Sequence, residues 1–395
     1  MTPCHKNKNH REGTIAILAC FLMIGMLGMV AFAVDLGYLA NSQTELQRTA
    51  DATALAACEQ LRYSVSGTPG TAVSLTNNVT AASTAASQYA AANKVCAQAP
   101  GLAASDVVIG YMANPANKTS TIQATGSVNN YNAVQVTVRR SASENGLVPS
   151  FFGKIFGQNG EAARASATAA FLGNVSGFGI PSAGTGPGGG TGNLMIMPFA
   201  LDLQTWNALL AGTGADVWKW DATKQQVIAG SDGILECNLF PQGTGSPGNR
   251  GTVSIGCSNG TSNLVRQILN GLSASDLAPY GGTLQLDSTG NLYLPANPGI
   301  SAGDKSALAS IIGQTRIIPI FSSVSGNGAN AMYDIVQFVG IRVLDVNLTG
   351  SMSSKHLTVQ PAWVYARGAV AASSANGSQP SQSSYGVFSP VWLVR

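Results

Sequence analysis

The chain has 395 residues, 45% of them hydrophobic, which excludes wholesale disorder and allows two or three domains. Only 10% are charged, well under the roughly 25% usual for a soluble globular protein, so the surface is polar but uncharged. The formal charge is +3, and Lys6, Lys8 and Arg11 lie in the first eleven positions; the remainder is close to neutral and no nucleic-acid partner is expected.

From Thr14 to Val34 run 21 residues without a charge, just over 30 Å as a helix at about 1.5 Å per residue, which matches a bilayer core. Ten are Leu, Ile, Phe or Val. At roughly −0.3 to −0.6 kcal/mol each they contribute on the order of −3 to −6 kcal/mol toward insertion. Lys6, Lys8 and Arg11 precede the run and Asp35 comes directly after it, so the positive-inside rule predicts a cytoplasmic N-terminus and an exported body. A signal peptide cleaved after Ala33 is the rival, since Ala31-Phe32-Ala33 has the small-x-small form; a lipoprotein box at Leu18-Ala19-Cys20 is a weaker one. The run exceeds a usual h-region, and the helical pattern continues past the cleavage point, which favours a retained anchor.

Beyond Val34, Leu36, Leu39, Leu46, Ala50, Thr53, Ala57 and Leu61 recur mostly at threes and fours with no proline between them. This is a helical stripe, and if it is unbroken from Thr14 to Leu61 the helix is about 70 Å long. Its Leu/Ala/Thr stripe suits close contact with another helix, either Ala81 to Ala97 or the same helix in a second copy.

Here the chain resembles a known family. Arg11-Glu12-Gly13 before the apolar run, Ala33-Val34-Asp35-Leu36-Gly37 after it, and Leu46-Gln47-Arg48-Thr49-Ala50-Asp51-Ala52-Thr53-Ala54-Leu55-Ala56-Ala57 are similar to the N-terminal domain of TadE/TadG-like proteins. That family is associated with tight-adherence (Flp) pilus assembly in bacteria. The likeness is close over residues 10 to 62 and looser to about residue 173, through Val134-Val136-Val138, Phe151-Phe152-Gly153-Lys154-Ile155-Phe156-Gly157 and Ala163 to Phe171. The resemblance implies a single-pass protein of the bacterial inner membrane whose bulk is periplasmic. Two features of relatives are missing. The Asp-x-Ser-x-Ser motif of a von Willebrand A-type domain is only approached by Asp345 to Ser353, with Asn347 and Ser351 out of place. Leu18 stands where a type IV pilin has glutamate.

In the exported body, Val107 to Tyr111, Ile122 to Thr125, Tyr131 to Arg139 and Arg164 to Phe171 read as strands or, for the last, a short helix; Val134, Val136 and Val138 alternate with polar residues, as on a half-buried sheet face. The expected fold is α+β: the long helix packed on a small sheet through residue 176, then a mixed α/β domain at 193–370. A Gly-rich linker at 177–192 joins them, with a polar tail at 371–395. Within the second domain, Asp202 to Leu210, Thr261 to Leu272 and Asp304 to Ile312 read as helices, with Thr261 or Ser262 as the second one's cap. Arg316 to Phe321 and Ile335 to Leu348 give the strongest strand signals, the latter central to a sheet.

Cys58, Cys96, Cys237 and Cys257 fall in an oxidising compartment under this topology, and the favoured pairings are Cys58 with Cys96 and Cys237 with Cys257; buried thiols are the alternative. Catalytic chemistry is sparsely provided. His356 is the lone histidine outside the N-terminus, the acidic residues form no calcium-loop spacing, and the glycines of 243–250 have no phosphate-loop lysine beside them. No cofactor or metal is expected. The leading expectation is a non-catalytic, membrane-anchored assembly component. Its expected partners are the lipid bilayer, proteins of a pilus or secretion apparatus, and a second copy of the chain by self-association through the N-terminal helix. The alternatives are an envelope-anchored hydrolase, which two carboxylates in a pocket near His356 would favour, and a glycan-binding protein, which three coplanar exposed Trp or Tyr rings would favour.

Overall fold

The computed structural model describes residues 12–61, 64–66, 74–76, 78–125, 130–180, 192–240, 251–258, 260–297, 302–326, 330–351, 353–372 and 383–394. Lys6, Lys8 and Arg11, and 181–191 of the expected linker, lie outside these. The chain forms two compact units, one of residues 12–56, 83–108 and 135–168, the other of 57–82, 109–134 and 169 onward.

In the first unit, helix α1 (Glu12–Gln60) is continuous for 49 residues, about 73 Å at helical rise. Nothing in its sequence interrupts the backbone hydrogen-bond ladder: there is no proline, and Gly25, Gly28 and Gly37 are accommodated. Its two halves meet different surroundings. Large side chains from Ile15 to Phe32 are 59–71% exposed, whereas Ser42, Leu46, Thr49, Ala50, Thr53 and Ala54 are buried. Leu36, expected in the buried stripe, is exposed and belongs with the apolar segment before it.

The buried stripe packs with α2 (Val79–Ala92), through Ala85, Ala86 and Ala90, and with a small sheet of β1 (Val107–Gly110), β2 (Ala133–Arg140) and β3 (Ala163–Ala170), β2 in the middle. Val136 and Val138 are buried while Gln135, Thr137 and Arg139 are not, the period of two that the sequence implied. Ala165 and Ala167 are among the five buried residues of the neighbouring strand, all of them small, so the helix can approach the sheet closely.

The second unit is built on a closed ring of five strands: β4 (Phe199–Asp202), β6 (Gly251–Val253), β7 (Leu292–Asn297), β8 (Thr315–Ser325) and β9 (Met332–Asn347), with β5 (Cys237–Phe240) outside it. Antiparallel pairs link β9 to β7, β7 to β6, β6 to β4 and β8 to β9; a parallel pair of β4 with β8 closes the ring. The sixteen-residue β9 serves both β7 and β8 and also carries β10 (His356–Pro361), on which β5 pairs. Register shifts around Phe321 let the long β8–β9 ribbon bend.

The strand periodicity sorts side chains into two cores. Ala200, Val253, Leu294, Ala296, Ile317, Tyr333 and Ile335 belong to one. Phe199, Leu201, Ile318, Ile320, Val339, Ile341 and Val343 belong to the other, covered by helices α3 (Leu203–Leu210), α4 (Thr261–Asn270) and α6 (Lys305–Ser310), with the short α5 (Ala274–Leu277) after α4. Asp202 caps α3 by accepting from the Thr205 amide at 2.7 Å. The cap of α4 is Gly260 rather than Thr261 or Ser262.

Two boundaries differ from expectation. Gly177 to Gly179, at the start of the expected linker, lie in a strand (Val175–Gly179) paired with Thr283–Gln285. Of the expected tail, 373–382 lies outside the described residues, but 383–394 is built into the fold. Ser384–Tyr385 pairs with β9, Val387–Phe388 with Val364–Tyr365, and Trp392–Leu393 with Ala169–Ala170. Tyr385, Val387 and Phe388 are buried, so the apolar cluster closing the sequence outweighs the polar run before it.

The expected disulfides are absent, and the topology explains why. Cys96 lies beside Ser42, with Sγ to Oγ at 3.1 Å, while Cys58 is sixteen residues farther along α1, about 24 Å at helical rise. A disulfide needs Cα atoms within roughly 7 Å. Cys237 is on β5 and Cys257 comes after β6, strands that do not pair with each other, and no bond joins the two sulfurs.

Candidate functional site

The first residue past the apolar run, Asp35, is a heavily bonded carboxylate at the exit of the anchor. Its Oδ2 accepts from Ser150 Oγ at 2.5 Å and from the Gly153 amide at 2.8 Å, and its Oδ1 accepts from the Phe151 amide at 2.8 Å. The Phe152 amide reaches both oxygens, at 3.2 and 3.1 Å. The Ser150 hydroxyl, chiefly, and the three amides stabilise the ionised form; together they outweigh burial and hold the pKa at about 2, below the ordinary 3.8. The amides belong to the turn entering a 3-10 segment, Gly153–Phe156, which Gly157 ends with φ of 81°. A Cβ on Gly153 would stand 2.3 Å from Ser150 Oγ, so only glycine lets the turn wrap the carboxylate. Tyr38, one turn along α1, meets Phe151 edge to face at 5.0 Å.

Farther along α1 a second clamp holds the connection after α2. Val95 and Gln98 exchange backbone hydrogen bonds across Cys96 and Ala97, whose φ values are 51° and 64°. Two consecutive non-glycine residues with positive φ are costly, and their surroundings hold them there. The Cys96 amide donates to Glu45 at 2.8 Å. The buried Arg140 guanidinium donates to the carbonyls of Val95 and Gly146 and to Gln98 Oε1, at 3.0, 3.1 and 3.0 Å. Its neighbour Arg139 pairs with Asp106 and Glu144.

In the second unit a cleft of about 680 Å³ is lined by Asn193, Met195, Cys257, Arg266, Ser273 and Asp276 among others. Arg266 donates to both oxygens of Asp276, at 2.9 and 2.6 Å. Burial pushes the Asp276 carboxyl up, but Arg266, Ser273 and Gln267 outweigh it and hold the pKa at about 2. Gly256 is required here: its φ is 71°, and a Cβ would stand 1.8 Å from the Asp276 carbonyl oxygen. Burial raises the Cys257 thiol, so it is not an activated thiolate.

A shallower pocket of about 370 Å³ holds His356 with Trp218, Asn238, Asp345, Ser353, Lys355 and Thr358. His356 Nε2 lies 2.8 Å from Asp345 Oδ2 and Nδ1 lies 3.0 Å from the Ser354 carbonyl. Both ring nitrogens therefore face acceptors, leaving neither for a serine hydroxyl. The lining supplies one carboxylate, Asp345, where the hydrolase alternative called for two. None of the five tryptophans is exposed: Trp206 is wholly buried, and Trp220 lies under the Arg342 guanidinium at 4.4 Å.

Of the residues singled out in the sequence, the structure gives Asp35 a site and separates the four cysteines. Sequence reasoning missed that Asp35 and the segment Ser150 to Gly153 meet, more than a hundred residues apart. The available signal was an acid directly after an apolar helix, paired with a serine-led, glycine-containing turn. It also missed Glu45 and Arg140 as the clamps of the Cys96 turn.

Residues 13–92 match the family described as Flp pilus-assembly TadE/G-like, and residues 67–169 match the one described as Tad-like Flp pilus-assembly. Comparison with curated proteins yields no match. Comparison with solved structures yields none either.

Proposed function

We propose, from the premise that the chain is a TadE/TadG-like Flp pilus-assembly protein over residues 13–169, that it is a non-catalytic assembly component held in the bacterial inner membrane. Its N-terminus is cytoplasmic and its two units are periplasmic. The observation that carries this reading is the continuity of α1: an apolar first half with no described residue packed around it, and a second half that forms the core of the matched domain. A force or displacement on the folded domain therefore reaches the bilayer through one rigid helix. Lys6, Lys8 and Arg11 before the helix support the orientation.

The mechanism is positional. The anchor places a largely uncharged surface at a set height above the membrane, where it docks on proteins of a pilus or secretion apparatus. Cross-linking in intact cells with subsequent detergent solubilisation and purification tests this. Pilus or secretion proteins are expected in the product, and recovery of the chain without any of them would refute the assembly reading. Labelling Cys4, in a chain whose other five cysteines are replaced by serine, tests orientation: protection from a membrane-impermeant reagent in intact spheroplasts is expected.

A further inference from the structure

We propose that the segment Phe151 to Phe156 is a second membrane contact, a wedge seated in the headgroup layer beside the point where α1 leaves the bilayer. Its exposed side chains are those a water-facing turn would not carry. Phe151 is 54% exposed, Phe152 41%, Ile155 77% and Phe156 84%, within six consecutive residues. The sole charged member is Lys154, whose aliphatic stem and cationic head suit an interface with anionic lipid.

The position of the turn identifies the occupant. The amides of Phe151, Phe152 and Gly153 bond directly to Asp35, which stands one residue past Val34, the end of the apolar run. Headgroup layers extend roughly 5–8 Å beyond the hydrocarbon on each side, and a helical step is about 1.5 Å, so Asp35 and the turn it holds lie within that layer. Large apolar side chains brought to this height meet lipid rather than bulk water, and aromatic rings are enriched at such interfaces. Asp35 acquires a role beyond marking the end of the anchor: it fixes the wedge to the helix, so that helix and turn present one continuous apolar surface. The inference rests on the anchored reading of α1.

The test uses the full chain reconstituted in phosphatidylcholine and phosphatidylglycerol vesicles, with and without brominated acyl chains. Phe156→Trp adds a reporter to the five native tryptophans, and its emission is read as the difference from the wild-type chain; Ile155→Trp is a second reporter should the first disturb folding. The expected result is a blue-shifted difference emission that brominated lipid quenches more strongly than aqueous iodide does, as for an aromatic ring at the membrane interface. Quenching by iodide and not by bromine overturns the proposal. Shielding from both quenchers also overturns it, in favour of cover by protein. Alkaline extraction of the same vesicles separates the two readings: release of the chain refutes the anchor and the wedge together, whereas retention without bromine quenching refutes the wedge alone.

Discussion

Two arginines placed in the middle of the anchor are expected to abolish its integration. The side chains of Leu22 and Met26 are 59% exposed each, so no protein contact offsets a change there and lipid alone sets the cost. The ten large apolar residues of 14–34 supply about −3 to −6 kcal/mol, and an arginine at the helix centre costs about 2.5–3.5 kcal/mol. Leu22→Arg alone leaves insertion near balance. Leu22→Arg with Met26→Arg adds roughly 5–8 kcal/mol, counting the lost leucine, and reverses the sign. Snorkelling gives little relief, since both positions lie at least eight residues from either end of the run, about 12 Å, farther than an arginine side chain reaches. The assay is synthesis into inverted membrane vesicles, then carbonate extraction. The wild-type chain is expected in the pellet, the single variant divided and the double variant in the supernatant. A double variant that pellets like wild type would refute the account of α1 as a lipid-solvated anchor.

The Asp35 cradle has a defined pH range. A pKa depressed from 3.8 to about 2 means that its contribution is fully present above 3.8 and lost as pH falls through about 2. Amide exchange of Phe151 to Gly153, corrected for intrinsic rates, is therefore expected to be constant from neutral pH to about 5. Asp35→Asn, with one acceptor oxygen for four donors, should raise that exchange at neutral pH. Thiol reductant is expected to leave the melting temperature unchanged; a Cys58–Cys96 bridge would contribute about 4 kcal/mol by the chain-entropy relation, and a drop of several degrees on reduction would contradict the topology. Phe338→Ala removes a fully buried ring packed at 5.0 Å against Phe178 and is expected to cost about 3–5 kcal/mol, lowering the second unit's melting by roughly 6–20 °C in calorimetry. Tyr293→Ala, at an exposed position, is the control and should move it little.

What could be read in advance divides by sequence separation. Helix α1 was legible because its determinants are local: an uncharged run, then small and apolar residues at threes and fours with no proline. Strands β2, β8 and β9 were legible through alternation or β-branched runs. The ring closure was not, because the parallel pair Ile320 with Leu201 joins residues over a hundred apart and leaves no local trace. Pairing of cysteines failed for the same reason, since spacing says nothing about which strand of a sheet each occupies. The closing strands were obscured by composition: the polar 373–382 run hides Tyr385, Val387 and Phe388 when averaged with them.

Because α1 serves as both anchor and core, the height of the first unit above the bilayer is set by helical rise rather than by a linker. Ser42 lies about 12 Å and Ala54 about 30 Å past Val34, and the sheet packs along that interval. A single-residue deletion between Asp35 and Ser42 would turn the buried stripe by about 100° against the apolar half and shift it by about 1.5 Å. The Asp35 cradle and the Glu45 contact to Cys96 could then not both form, since each is fixed to its own side of the deletion. Deleting four residues, close to one whole turn, restores the facing of the stripe to within about 40° and shortens the helix by about 6 Å, so it too draws Asp35 away from its cradle while keeping the stripe on the sheet side. If assembly depends on height, both deletions impair it; if it depends only on the integrity of the folded unit, the four-residue deletion is the milder. Comparing the two in a piliation assay separates position from fold.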